Sequence, residues 1–400
     1  MIPLAMIPLV RSTFFHEQET KRQLCDFITG ADRLSMGSQC AAFEEAFAEK
    51  QGCAHAVFVS SGSSANLVLI QALLNQGRLK KNQTVGVSAL TWATNVMPIM
   101  QLGLKPFIID CELETLNVSP RTLDPSIKQL NALFITHTLG LCDDLEAIQA
   151  ISKQHNVLLL EDNCEGLGSK FNATRLGNFG HASTFSFFVG HHMSTIEGGM
   201  VCTNDTELYE MLVMTRAHGW SRNLSSESKG RLRAQHNIDP FYDLYTFYVP
   251  AYNARPTEIQ GFLGTTQLHY WDEIVSKRER NFKRFQAVMA ANNDFIPLRC
   301  DNMDVISNFA MPVVCKDAET GERYKKRFID AGVEIRPIIA GNIAEQPFLK
   351  AYQSKSKQKD KESGQTASNA AQIHRNGFYF PNNPELTTQE VDLLAHLLVQ

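Results

Sequence analysis

The chain is short of several things. It has no apolar run approaching the ~20 residues that cross a bilayer, so no membrane association is expected. It has no surplus of basic residues: 38 Lys and Arg stand against 42 Asp and Glu, a net charge of -4. That balance gives no push toward nucleic acid or an anionic membrane. It has no CxxC pair, and its nine cysteines are an odd number in 400 residues. A disulfide framework is therefore not expected, and a reducing cytoplasm is. No metal site is read from the pattern. The N-terminus MIPLAMIPLV is apolar but lacks a basic start and a small-residue cleavage site, and is not read as a signal peptide. Its doubled MIPL is the only internal repeat found.

What is present is an ordinary core-forming composition, 44% hydrophobic and 20% charged, with length enough for a large and a smaller domain. Between about residues 55 and 205, short Val/Ile/Leu/Phe runs alternate with helical patterns. HAVFVSS (55–61), TVGVSAL (84–90), PFIIDC (106–111), ALFITHT (132–138), VLLLED (157–162), STFSFF (183–188) and GGMVCT (198–203) read as strands. Such runs predict an α/β fold with a mostly parallel sheet covered on both faces. Ligands bind such sheets at the carboxyl ends of their strands. One long helical pattern, roughly Thr257 to Ala291, leads into a second part with strand-like MPVVC (311–315), a helix near 319–331, strand-like VEIRPI (333–338) and a last helix from Thr388. The expected division is 1–255 for a large ligand-binding domain and 256–400 for a linking helix and smaller domain. Residues 353–368, polar and charged, read as an exposed loop.

Three stretches carry chemistry. SSGSSAN (60–66) is a strand end, a glycine turn and a helix start, where free N–H groups and the helix dipole favour a phosphate; taken alone, such a stretch is more often just a Ser-rich helix cap. Asp162 closes VLLLED. An acid there serves as a metal ligand, a ribose partner, a salt-bridge member, a helix cap or the partner of a pyridinium nitrogen. Trp92, in SALTWATN, stacks on a flat ring or fills the core.

Taken in order, SSGSSAN, SALTWATN, LEDNCEGLGSK, GNFGHASTFSFFVGHHMSTIEGGMVCTND and YNARPTEIQGFLGTTQL resemble the nucleotide-sugar aminotransferase family of fold-type-I pyridoxal-phosphate enzymes. RLSMGSQCAAFEEAFAEKQGC (33–53) fits it as well, and the match runs from about residue 30 to 290, then loosely to the C-terminus. The resemblance implies an aspartate-aminotransferase-like fold: a large domain with a mostly parallel seven-stranded sheet, and a smaller α+β C-terminal domain. It implies pyridoxal or pyridoxamine phosphate as cofactor. By position, the backbone at Gly62 and Ser63 and the Ser186 hydroxyl would hold the phosphate. Trp92 would stack on the ring, Asp162 would pair with the ring nitrogen, and Glu165 would lie near the ring hydroxyl. Asn253 would reach the phosphate of the neighbouring subunit, which implies a homodimer with shared active sites.

That family tethers its cofactor to a lysine. Here no lysine occurs between Lys170 and Lys229, and His191 stands at the lysine's place. An imidazole cannot make the covalent link, so the resemblance implies a cofactor held without a tether. It keeps the proton-shuttle role, for which a pKa near neutrality suits it. His192 reads as a packing residue. The GHH…EGG variant resembles the sugar 3-dehydratases. This implies loss of the C3 hydroxyl from a nucleotide-linked 4-keto-6-deoxy sugar, GDP-4-keto-6-deoxy-D-mannose first among them, with L-glutamate as co-substrate. The expected products are a 4-keto-3,6-dideoxy sugar and ammonia. A second branch of 3-dehydratases, acting on CDP-4-keto-6-deoxyglucose, carries an iron–sulfur cluster on four cysteines downstream of this loop. Only Cys300 and Cys315 follow Cys202, so no cluster is expected. His218, in TRAHGWSRN, matches a histidine that contacts the sugar; the other reading is a helix-end residue satisfying carbonyls. Two further functions stay open: a 4-aminotransferase with a non-lysine base, and a cofactor-binding regulatory protein without turnover.

Overall fold

A computed structural model of the chain describes residues 7–355 and 367–400. The start of the apolar N-terminus and most of the polar 353–368 stretch lie outside the described residues. Twelve strands run along the described chain: β1 (His55–Val59), β2 (Thr84–Ser88), β3 (Lys105–Ile109), β4 (Ala132–Thr136), β5 (Leu158–Asp162), β6 (Lys170–Phe171), β7 (Thr174–Arg175), β8 (Ala182–Ser186), β9 (Gly199–Thr203), β10 (Met303–Val305), β11 (Ala310–Val314) and β12 (Gly377–Pro381). Seven of them form the main sheet, in the order β1-β9-β8-β5-β4-β2-β3. β3, β2, β4, β5 and β8 pair in parallel, and β9 runs antiparallel to both its neighbours, β8 and β1. The expected mostly parallel α/β sheet is what the chain builds.

Alternation along each strand serves two cores. In β4, Ala132 and Phe134 join one buried cluster, while Leu133 and Ile135 join another on the opposite face. All five β4 residues are therefore buried, which is why the strand reads as a continuous apolar run. The helix Gly62–Asn75 packs on the first face, with Val68, Leu69 and Leu73 buried. The helix Leu145–Gln154 covers the second through Leu145 and Ile148.

The C-terminal part centres on the antiparallel pair β11–β12. The helices Ala318–Asp330, Ser368–Asn376 and Thr388–Leu397 belong to it; Phe328 of the first packs on Phe378 and Phe380 at ring distances of 5.4 Å and 5.0 Å. Two expectations need correction. The helical pattern from Thr257 is two helices, Glu258–Leu268 and Trp271–Ala290. The chain turns at His269–Tyr270, and Asp272 and Glu273 then favour a new helix N-terminus. VEIRPI makes no regular strand: it forms single bridges, Val333 with Ile7 and Arg336 with Tyr379, and Pro337 has no N–H to extend the ladder. No helix among the described residues is long and apolar enough to cross a membrane.

Candidate active site

A cavity of about 540 Å³ opens at the carboxyl ends of β1, β2, β4, β5 and β8, and residues of the C-terminal part close its other side. Its first wall is the start of the helix Gly62–Asn75. Ser61 caps it, its Oγ accepting from Ser64 N at 3.0 Å, and its carbonyl accepts from Ala65 N at 2.9 Å. The N–H groups of Gly62 and Ser63 have no acceptor among the described residues. Ser186, the last residue of β8, stands against this turn. A Cβ on Gly62 would lie 2.7 Å from the Ser186 Cβ, so only glycine lets the two elements meet this closely. The result is a cradle of unclaimed donors at a helix N-terminus.

Two more side chains line the cavity with the cradle. Trp92 follows β2, and although it is a tryptophan it is 55% exposed, so it is not a core residue. Asp162 ends β5 and is buried, its Oδ1 accepting from Cys164 N at 2.9 Å. The neighbouring Glu161 serves structure instead: it takes N–H groups of Gly177, Phe179 and Gly180 and meets His137 at 2.7 Å. Glu165 accepts from Leu139 N at 2.8 Å, and burial, with the Asp162 charge beside it, pushes its pKa up to about 8.

The loop after β8 brings His191 into the same cavity. Its N–H donates to the Phe188 carbonyl at 2.8 Å, and its ring lies 5.2 Å from that of Phe309. Its Nδ1 is buried without a partner among the described residues. Burial and the Arg278 guanidinium push its pKa down to about 4, against the pull of the Cys164 carbonyl. The ring is thus neutral at pH 7 with a free acceptor nitrogen, and it is a weaker base than the near-neutral value expected from the sequence, because burial and the guanidinium disfavour its charged form. His192 is buried behind it, with Nε2 2.7 Å from the Ser307 carbonyl.

Seven of the nine residues singled out from the sequence line this cavity: Gly62, Ser63, Trp92, Asp162, Glu165, Ser186 and His191. His218 and Asn253 do not. They lie together elsewhere, since Ala217 bridges Asn253, the His218 ring packs on Trp220 at 4.7 Å, and Asn253 Oδ1 accepts from Arg255 at 2.9 Å. Sequence reasoning missed Phe309, Arg336 and Tyr379 in the cavity wall. Arg336 is the informative one: a cation in the cavity, held at 3.0 Å and 2.6 Å by Glu334, which also accepts from the N–H of Leu9 at 2.9 Å. Only its place in an apolar stretch, VEIRPI, set it apart in the sequence.

The model of the DegT/DnrJ/EryC1/StrS aminotransferase family matches residues 16–399. The chain belongs to that family. It is 32% identical over 397 residues, 98% of each chain, to a GDP-4-keto-6-deoxy-D-mannose 3-dehydratase of Yersinia pseudotuberculosis. Among solved structures, it resembles the E coli GDP-4-keto-6-deoxy-D-mannose-3-dehydratase with bound hydrated PLP, at TM-score 0.87 and 29% identity, covering 99% of this chain and 100% of that one. A GDP-4-keto-6-deoxymannose-3-dehydratase structure with a trapped PLP-glutamate geminal diamine gives TM-score 0.87 at 29% identity, covering 98% and 100%.

Proposed function

We propose that the protein is a glutamate-dependent 3-dehydratase of a nucleotide-linked 4-keto-6-deoxy sugar, GDP-4-keto-6-deoxy-D-mannose, with pyridoxal or pyridoxamine phosphate bound but not tethered. The observation that carries this is a cavity that gathers Gly62, Ser63, Trp92, Asp162, Glu165 and Ser186 around a histidine at the position of the family's lysine. The residues fit the group. The unclaimed N–H groups of Gly62 and Ser63, with the Ser186 hydroxyl, suit a phosphate. The exposed Trp92 ring and the Asp162 carboxylate suit the face and the nitrogen of a pyridinium.

When bound, pyridoxamine phosphate supplies an amine for the sugar's C4 ketone and an electron sink that lets the C3 hydroxyl leave. The chain does the rest. Asp162 keeps the ring nitrogen protonated. His191, neutral and half-buried, takes a proton from the cofactor's C4′ carbon and can return it to the leaving hydroxyl. Glu165, largely protonated at neutral pH, can donate toward the ring hydroxyl. Arg336 offers a positive charge to the glutamate carboxylate or to the sugar nucleotide's phosphates. Hydrolysis then gives ammonia and the 4-keto-3,6-dideoxy sugar, and each turnover consumes one glutamate to 2-oxoglutarate.

The active unit we infer is a homodimer. His218 and Asn253 lie outside this chain's cavity, in the segment that also exposes Phe241, Tyr242, Leu244, Tyr245 and Phe247. A second copy would cover that apolar surface and bring the two residues to its partner's site, Asn253 at the phosphate and His218 at the sugar. The cavity's composition supports a division into 1–255, carrying the cofactor, and 256–400, the smaller domain supplying Phe309, Arg336 and Tyr379. All nine cysteines are free thiols, which supports a cytoplasmic place.

The test is product analysis with GDP-4-keto-6-deoxy-D-mannose and glutamate. Ammonia and 2-oxoglutarate in equal amounts are expected. An amino sugar with 2-oxoglutarate and no ammonia would make the protein an aminotransferase instead.

A further inference from the structure

Arg278, on the helix Trp271–Ala290, is 4% exposed. No carboxylate among the described residues lies within ion-pair distance of it. Its Nη1 donates instead to three backbone carbonyls: Asn308 at 3.2 Å, Phe309 at 2.7 Å and Asn382 at 2.8 Å. With His192 on the Ser307 carbonyl, three consecutive carbonyls of Ser307–Phe309 are each held by a side chain. Phe309 is also tied to the main sheet, its N–H donating to the Leu139 carbonyl at 3.1 Å. Its ring then rests against His191 at 47°. Arg278 and both histidines border one small cavity of about 30 Å³. Burying a guanidinium with no carboxylate to offset its desolvation is costly, so the charge at this place calls for a use.

We propose that Arg278 is a positioning residue for His191: through Ser307–Phe309 it fixes the ring on which the imidazole rests, and its unpaired charge stands beside that imidazole at the small cavity they share. This rests on the reading of His191 as the base. The other charged or titratable groups around His191 are His192 on its own loop, Asp162, Cys164 and Glu165 after β5, Glu197, Arg336 and Tyr379 across the cavity, and Glu385 at the small cavity. Beyond burial, Arg278 is the charge that lowers His191.

The experiment uses full-length protein with ring-labelled histidine and follows the His191 NMR signal against pH, with His191→Asn to assign it. The wild-type signal should stay that of a neutral ring down to about 4. A midpoint at the ordinary histidine value of about 6.5 overturns the charge half with no variant needed. In Arg278→Met, the His191 midpoint and the acid limb of the kcat profile of the loaded enzyme should both rise, by about one unit. In Arg278→Lys the charge stays but one ammonium cannot hold three carbonyls in the guanidinium's geometry. The midpoint should then hold while kcat falls about tenfold or more at unchanged KM. Should Arg278→Met fail to fold, the wild-type titration and the Lys variant decide. Wild-type kcat in Arg278→Lys overturns the positioning half. If His191→Asn itself retains dehydration, the base reading fails, and the NMR midpoints still judge the effect of Arg278 on the ring.

Discussion

Gly62→Ala should separate cofactor binding from folding. The new methyl would stand 2.7 Å from the Ser186 Cβ, 3.0 Å from its Oγ and 3.3 Å from its Cα. Resting carbon contacts are ~3.5–4.0 Å, so the helix start and the end of β8 must part by roughly 1 Å. No flexible tip can yield, because the Ser186 Cβ moves only with its strand. Overpacking of this kind costs about 1–3 kcal/mol. The same displacement pulls the Ser186 hydroxyl away from the N–H groups of Gly62 and Ser63. Losing one hydrogen bond to a charged phosphate costs about 1.5–3 kcal/mol, which is roughly ten- to a hundredfold in Kd. Cofactor titration, read by absorbance or by Trp92 quenching, would measure this loss, and thermal melts of the cofactor-free protein would measure the strain. Gly62→Ala with Ser186→Gly should recover the melt, since the clashing Cβ is gone, and still bind cofactor weakly, since the hydroxyl is gone too. A Gly62→Ala protein with unchanged melt and unchanged cofactor affinity would show that the helix start and Ser186 do not form one phosphate cradle.

Asp162→Asn keeps the acceptor for Cys164 N, so folding should survive while turnover falls by one or more powers of ten, ~1.4 kcal/mol each; near-normal turnover would remove Asp162 from the ring nitrogen. Glu165 has its pKa raised from 4.5 to about 8 in the fold, so the folded state holds its proton more tightly and stability drains away as pH rises through that window. Glu165→Gln cannot lose a proton, so its melting temperature in the cofactor-free protein should gain on wild type between pH 5 and pH 8, and a constant gap would refute the burial argument. His191→Lys should take up cofactor covalently, seen as a stable mass increase after borohydride, and lose most dehydration; wild-type protein should show no such adduct.

The parts of the site that were legible in the sequence are the local ones. A Ser-rich cap, an acid at a strand's end and a histidine after a broken strand each lie within a few residues of the element that places them. Telling that Trp92 is not a core residue needed the structure, because exposure is a tertiary property. Beyond the charge of Arg336 in an apolar stretch, nothing local marked Arg336 and Tyr379: they reach the cavity through a single bridge between two segments of the C-terminal part. The helix break at His269–Tyr270 was hidden for a related reason. The apolar period continues across it, and only the direction of packing changes.

A histidine in place of the tethering lysine changes what the rest of the site must do. A tether holds a cofactor even when its other contacts are imperfect; an untethered one stays only through those contacts. On the proposed reading, the cradle at Gly62, Ser63 and Ser186, with Trp92 and Asp162, would therefore set the affinity directly. The same loss frees the ring end of the site. With no lysine amine competing for the cofactor's carbon, a substrate amine meets no internal rival, and the group left beside that carbon need only move a proton. An imidazole lowered to about 4 by burial and Arg278 stays neutral throughout the physiological range, so its protonation state does not change with modest pH shifts, although its basicity is reduced. On the proposed reading, dehydration in place of amino transfer would follow from what His191 leaves out as much as from what it adds: it would take the proton and return it, but it has no amine with which to recapture the cofactor and close an aminotransferase cycle.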